Sequence, residues 1–234
     1  AAERLFFRRV LRFEIINLRG VMKIARFEFN LFGVNTYVVW DEATKQAAVI
    51  DPGMQTDAEA LQLDEFIKAH SLNVTHLINT HLHIDHTLGN DHIIKHYNLT
   101  TEAHQGDATL GLGRAEQARM FHLRMAEPSP LNIGVNLHDG EEIALGAGKL
   151  KVLEVPGHSQ GSIALYDAAD KFVITGDALF NGSIGRTDLP GGNHQQLVNA
   201  IRKQLLTLPD DTAVYPGHGP ATTIGAEKYQ NPYL

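Results

Sequence analysis

A chain of 234 residues with 43% hydrophobic content is long enough to bury one large core, and no composition shift divides it. With 20 basic against 27 acidic residues the formal charge is −7, which argues against a broad nucleic-acid or anionic-membrane surface. Cysteine is absent, ruling out disulfides, thiolate metal sites and a cysteine nucleophile, whereas 13 histidines are the compositional anomaly to explain.

In chain order, Arg4, Arg8, Arg9, Arg12 and Arg19 interrupt every apolar cluster of the first 21 residues. Residues 1–21 therefore read as an N-terminal extension without a signal-peptide core, and a single domain is expected over 22–234. A basic amphipathic surface helix is the rival reading of that extension. Alternation and turn residues predict a meander of strands over Lys23–Leu31, Asn35–Asp41 and Gln46–Asp51. A helix follows over Ala58–His70, capped by Thr56 or Asp57. Val74–Asn79 reads as a buried strand, Thr87–Tyr97 as a helix, and Gly106–Ala126 as a Gly-interrupted helical insertion. Strand patterns resume at Glu142–Leu145, Leu150–Val155, Ser162–Asp167 and Lys171–Thr175. His194–Leu208 is an amphipathic helix, and Thr212–Tyr215 a last strand. Meander and helix thus recur in two halves, as expected of two sheets packed face to face with helices outside. No apolar run reaches the length of a membrane span.

Thr80-His81-Leu82-His83-Ile84-Asp85-His86 falls where a strand hands over to a helix. In an extended run residues i and i+2 point the same way, so His81 and His83 address one point. Asp85 and His86 address a second point nearby as the backbone turns. Three imidazoles and a carboxylate within six residues suit a borderline divalent cation better than a core or a solvated loop. His158, Asp177 and His218 also follow predicted strands, each flanked by glycine, in loops built to aim one side chain. Taken singly, each is an ordinary turn residue; beside the histidine cluster they become candidate ligands.

His81-x-His83-x-Asp85-His86 followed by His158, Asp177 and His218 resembles the ligand set of the metallo-β-lactamase superfamily, over about Met22 to Pro220. Within it, Thr175-Gly176-Asp177-Ala178-Leu179-Phe180 and Gly182-Ser183-Ile184-Gly185-Arg186-Thr187-Asp188 are similar to the glyoxalase II-like (hydroxyacylglutathione) hydrolases. The resemblance implies an α/β (α+β) fold, a four-layer αββα sandwich of two mixed sheets with metals at one edge. It implies His81, His83 and His158 on a first metal, Asp85, His86 and His218 on a second, and Asp177 bridging. Asp51 is then a residue that orients a ligand histidine. Two zinc ions are expected, with iron or manganese as alternatives, and Asp85 and Asp177 as the carboxylates of catalysis. A water shared by two such ions has its pKa lowered toward ~7, giving a hydroxide able to attack an acyl carbonyl. A thiolate leaving group, of pKa about 8.5, needs no strong acid. The expected substrate is a small acyl thioester or ester handled in the cytoplasm, with neither nucleic acid nor membrane as partner.

Glyoxalase II enzymes typically carry a helical C-terminal domain that contacts glutathione. This sequence stops shortly after His218, so that recognition is not carried over. Arg186, in the loop after Asp177, is the candidate substrate contact, and Arg114, Arg119 or Arg124 could face an anionic substrate from a lid over 106–126. The main alternative within the resemblance is a persulfide dioxygenase with one iron held by His81, His83 or His158, and Asp177; a lactonase is another. A β-lactamase is disfavoured by Asp177 and the lack of a signal sequence. A non-catalytic metal-stabilised module is disfavoured because seven ligands exceed a closed structural site. The other histidines read as structural or surface residues: His70 at a helix C-terminus, and His92 and His96 as a surface pair four apart.

Overall fold

The computed structural model describes residues 13–18 and 20–234. A first sheet contains β1 (Phe13–Asn17), β2 (Met22–Phe29), β3 (Val34–Asp41), β4 (Gln46–Ile50), β5 (Asn73–Ile78), β6 (Thr101–Ala103) and β7 (Ile133–Asn136), in that spatial order. β1 to β4 pair antiparallel, as a meander must, and β4 to β7 pair parallel through crossovers. Four further strands are β8 (Glu142–Leu145), β9 (Gly148–Glu154), β10 (Ile163–Asp167) and β11 (Phe172–Gly176). A small hairpin, β12 (Leu179–Phe180) and β13 (Ser183–Ile184), precedes β14 (Ala213–Pro216) and β15 (Thr222–Thr223). The second sheet is ordered β15-β14-β11-β10-β9-β8, with β11 and β14 parallel and the rest antiparallel.

Helices cover the outer faces: α1 (Asp57–Ala69), α2 (Ile84–Thr87), α3 (Asn90–Tyr97), α4 (Ala108–Leu112) and α5 (Arg114–Met120), then α6 (His194–Ala200) and α7 (Ile224–Gln230). Between the sheets, Ile24, Val39, Ile50 and Ile78 meet Val152, Leu165, Phe172 and Ile174, all fully buried. Phe27, Trp40 and Val49 face outward onto Leu63 and Phe66 of α1 and Ile93 of α3. On the other side Val155, Val173 and Val214 pack on Leu197, Ile201 and Leu205. The inner strands thus bury both faces, each such side chain stabilising the fold by about 1.5–3 kcal/mol, and the αββα sandwich follows. Thr56 caps α1 through a complete capping box with Glu59.

Three local features depart from the sequence reading. Phe13–Asn17, within the expected extension, adds the edge strand β1, because Phe13 packs 5.5 Å from the Phe27 ring and 5.2 Å from the Phe66 ring. Residues 1–12, and with them the amphipathic-helix reading, lie outside the described residues. The helix expected from Thr87 instead starts at Ile84 and breaks after α2, where Gly89 N–H donates to Pro52 O (2.7 Å) and restarts the chain as α3. The strand β7, Ile-Gly-Val-Asn, carries too little apolar alternation to be read from sequence, yet it closes the sheet edge beside β6.

Candidate metal centre

Every candidate ligand follows a strand that points to the same end of the sandwich. Asp51 follows β4, residues 81–86 follow β5, His158 follows β9, Asp177 follows β11 and His218 follows β14. The parallel pairs β4–β5 and β11–β14 make this convergence possible, since parallel neighbours deliver their C-terminal ends side by side. At that end the two sheets are tied together. Asn35 of β3 donates its backbone N–H to Gly217 O (2.7 Å) and its amide to Pro216 O (2.9 Å), and the Tyr37 hydroxyl donates to Pro216 O (2.7 Å). These contacts hold the His218 loop against the opposite sheet; nothing in the local sequence marks Asn35 or Tyr37 for that task.

The side chains fall into two triads. In the first, His158 Nε2 lies 2.8 Å from His83 Nδ1 and 3.3 Å from His81 Nε2. In the second, His218 Nε2 lies 3.3 Å from both His86 Nε2 and Asp85 Oδ2. Asp177 stands between them, Oδ1 at 3.3 Å from His86 Nε2 and Oδ2 at 3.7 and 3.6 Å from the Nε2 atoms of His158 and His218. All seven residues that the sequence singled out as ligands are therefore gathered in one place.

Around these rings sits a layer that fixes their orientation. His86 donates from Nδ1 to Asp51 Oδ2 (3.0 Å), leaving Nε2 facing the cluster. Asp51 itself accepts from Thr80 N–H (2.7 Å) and the Thr80 hydroxyl (2.6 Å). Backbone carbonyls do the same for two other rings: His158 Nδ1 donates to Arg186 O (2.7 Å) and His218 Nδ1 to Phe32 O (3.1 Å). Fixing one ring nitrogen selects the tautomer that presents the other. Two glycines clear the space. A Cβ on Gly217 would collide with Asp177 Oδ1 and His86 Cε1, and Gly176, at φ +50°, leaves room for the Thr80 side chain.

Burial and the foremost neighbouring charge oppose each other at Asp177 and reinforce each other at His81 and His83. Burial would raise the Asp177 carboxyl, but the surrounding His86, His218 and His81 hold it well below the ordinary carboxylate range. Burial lowers His81 well below its usual value, aided by His86, and lowers His83 to about 4, aided by His158. His81 and His83 are thus neutral imidazoles near the ionised Asp177, the protonation state that metal ligation requires.

Ligand atoms at about 2.0–2.2 Å from a tetrahedral cation lie about 3.3–3.6 Å apart, close to most of the separations above. Asp177 Oδ1 is buried without a hydrogen-bond partner among the described residues, which a cation would relieve. The residues fit two adjacent borderline divalent ions.

The centre opens on a cavity of about 410 Å³. His83, Asp85, Asp177 and His218 form its floor, while Phe32, Phe121, Phe180, Ile184 and Leu189 supply apolar walls. Arg186 reaches the rim, but its Nε and Nη2 each donate to an Asp188 oxygen at 2.7 Å, so its charge is already matched. Of the arginines expected on the insertion, Arg119 pairs with Glu127 on the surface and Arg124 is exposed. Arg114 is fully buried, donating to Thr87 O (2.8 Å), Ser129 O (2.9 Å) and Asp91 (3.1 Å). It braces α2 instead of meeting substrate. Arg114→Ala is therefore expected to lower stability by about 3–5 kcal/mol, since the buried Thr87 carbonyl and the partly buried Ser129 carbonyl lose their donor; an unchanged thermal melt would refute this role.

Sequence reasoning also missed two buried anchors. Gln117 of α5 accepts from Ile84 N–H (3.0 Å) and so fixes the first turn of α2. Asp107 accepts from Leu82 N–H (3.0 Å), Ser159 Oγ–H (2.8 Å) and Gly161 N–H (2.7 Å), joining the two loops that carry the first triad.

Residues 29–218 match the metallo-beta-lactamase superfamily. The chain is 36% identical over 214 residues to the hydroxyacylglutathione hydrolase GloC of Haemophilus influenzae, covering 91% of this chain and 98% of that protein. Among solved structures, the BLEG-1 B3 metallo-beta-lactamase is similar with a TM-score of 0.81 at 31% identity, over 90% of this chain and 99% of that one. A di-iron-bound form of TTHA1623 is similar with a TM-score of 0.78 at 34% identity, over 89% of this chain and 99% of that one. With a match that spans most of its length, on a scaffold that gathers the donor residues at one edge, the protein belongs to the metallo-β-lactamase superfamily.

Proposed function

We propose that the protein is a zinc-dependent hydrolase of small acyl thioesters, working at a two-cation centre held by His81, His83 and His158, by Asp85, His86 and His218, and by Asp177 between them. The observation that carries this reading is the pair of donor triads sharing one carboxylate at the floor of an apolar cavity. The hydroxyacylglutathione hydrolase relative supports the thioester over other acyl compounds. The donor set suits iron or manganese as well, and the di-iron-bound relative keeps iron in view.

When bound, such cations lower the pKa of a shared water toward ~7 and polarise a carbonyl. The chain's own residues supply the rest. Asp51, Arg186 O and Phe32 O hold the rings of His86, His158 and His218 with the correct nitrogen inward. Phe32 and Phe121, edge to face at 5.8 Å, wall the cavity and exclude water from the acyl group. Asp85, with its side chain 17% exposed, faces the cavity beside His218 and is placed to accept a proton. A thiolate departs without an acid.

The test is elemental analysis of freshly purified protein paired with assays on S-lactoylglutathione, a lactone and a β-lactam. Two equivalents of metal and preferential thioester turnover are expected. A single iron with oxygen uptake on glutathione persulfide would replace the hydrolase by the dioxygenase reading. Turnover of the β-lactam alone would equally overturn it. Phe121→Ala should raise KM for thioesters several-fold while leaving metal content intact, because Phe121 lines the cavity and offers no donor atom to a cation.

A further inference from the structure

Away from this centre, α1 and α3 bring a second set of donors together. His92 and His96, four apart on α3, share one face, with rings stacked 5.4 Å apart at 21° between planes. Asp64 of α1 approaches from the side, its two oxygens 3.2 and 3.0 Å from His92 Nε2. One donor atom from each of the three residues lies within 4.8 Å of the others. The Tyr97 hydroxyl donates to Asp64 Oδ1 (3.0 Å), which orients the carboxylate from behind as outer partners of metal ligands do.

A hydrogen bond between Asp64 and one histidine would account for His92 alone. It leaves the ring nitrogens of the exposed His96 without a hydrogen-bond partner among the described residues, while that ring packs on both His92 and Tyr97. The side chains of Asp64 and His92 are 20% and 33% exposed, so the cluster is half-sunk in the surface with solvent on its open side. Lys95 shares the hollow with both histidines and weakens its pull on a cation.

We propose that Asp64, His92 and His96 form a second, weaker metal site for a borderline divalent cation of the zinc class, with water completing the coordination. Two imidazoles and a carboxylate match such an ion's preferences, and the open side matches reversible occupancy. Because the donors come from different helices, an ion there would also pin α1 to α3. The proposal does not depend on which reaction the main centre performs.

The experiment is calorimetric titration of Zn²⁺ into protein already loaded with zinc and desalted, at neutral pH. Wild type is expected to take up one further Zn²⁺ per chain and to melt at a higher temperature with zinc in excess. His96→Ala, an exposed substitution that leaves the fold intact, should weaken the extra binding at least tenfold, and Asp64→Asn likewise. In both variants the desalted metal content and the hydrolytic rate should stay at wild-type values. No further uptake by wild type would overturn the proposal. So would uptake that His96→Ala leaves unchanged, since the zinc would then sit on other surface histidines.

Discussion

Asp177→Ala is expected to lose metal and to lower hydrolysis by about 10³-fold or more, a barrier change of several kcal/mol of the kind bound cations supply. Among the described residues Asp177 is the only carboxylate with one oxygen toward His86 and the other toward both His158 and His218, so removing it unlinks the triads. Asp177→Asn separates charge from shape. It fills the same space beside Gly217 but cannot hold a negative charge between the two sets of imidazoles, and it should be nearly as damaging as alanine. Chelation gives a second readout. If free metal stands at about a thousand times its Kd, binding stabilises the wild type by about 4 kcal/mol, which for a domain of this size corresponds to a Tm shift on the order of 10 °C. That shift should appear in wild type on adding a chelator and be largely absent in Asp177→Ala. Full retention of both metal content and rate in the alanine variant would refute the bridging role.

The His81–His86 cluster was legible because extended-chain alternation and a strand-to-helix handover are local properties, and local geometry is what a sequence states directly. His158, Asp177 and His218 were legible only together, through their flanking glycines and a family resemblance, because each alone is an ordinary turn residue. The flanking glycines serve two different ends. Gly157 and Gly176 do adopt positive φ, at +132° and +50°, but Gly217 is needed for close approach, not for its backbone angle. Arg114 shows the converse failure: on a surface-patterned helix it looked like a substrate contact, and only the tertiary packing of α5 on α2 reveals a buried brace. β1 was obscured by the arginines around it, since the contact of Phe13 with Phe27 and Phe66 joins residues far apart in sequence.

Asp107 was invisible for the same reason. It lies in Gln105-Gly106-Asp107, a short turn with no ligand spacing, yet it ties the His81–His83 loop to the His158 loop. The residue is 1% exposed, and burial pushes its carboxyl up despite three donors, so the fold sustains an unfavourable environment to keep it there. Asp107→Ala would leave Leu82 N–H, Gly161 N–H and the Ser159 hydroxyl short of an acceptor, at about 1–3 kcal/mol for each group that finds no substitute. A loss of about 3–4 kcal/mol is expected, seen as a Tm lower by roughly 10 °C. A purely structural role would end there. A positioning role predicts more: well below the melting temperature, metal affinity should fall about 10–100-fold, as when the outer partners of ligands are removed, because His81, His83 and His158 no longer hold their mutual spacing. Asp107→Asn should recover part of both losses, its amide oxygen accepting one N–H while its NH₂ group opposes the other. If the alanine variant is destabilised but binds metal with wild-type affinity, Asp107 serves the fold alone and the spacing of the first triad is set elsewhere.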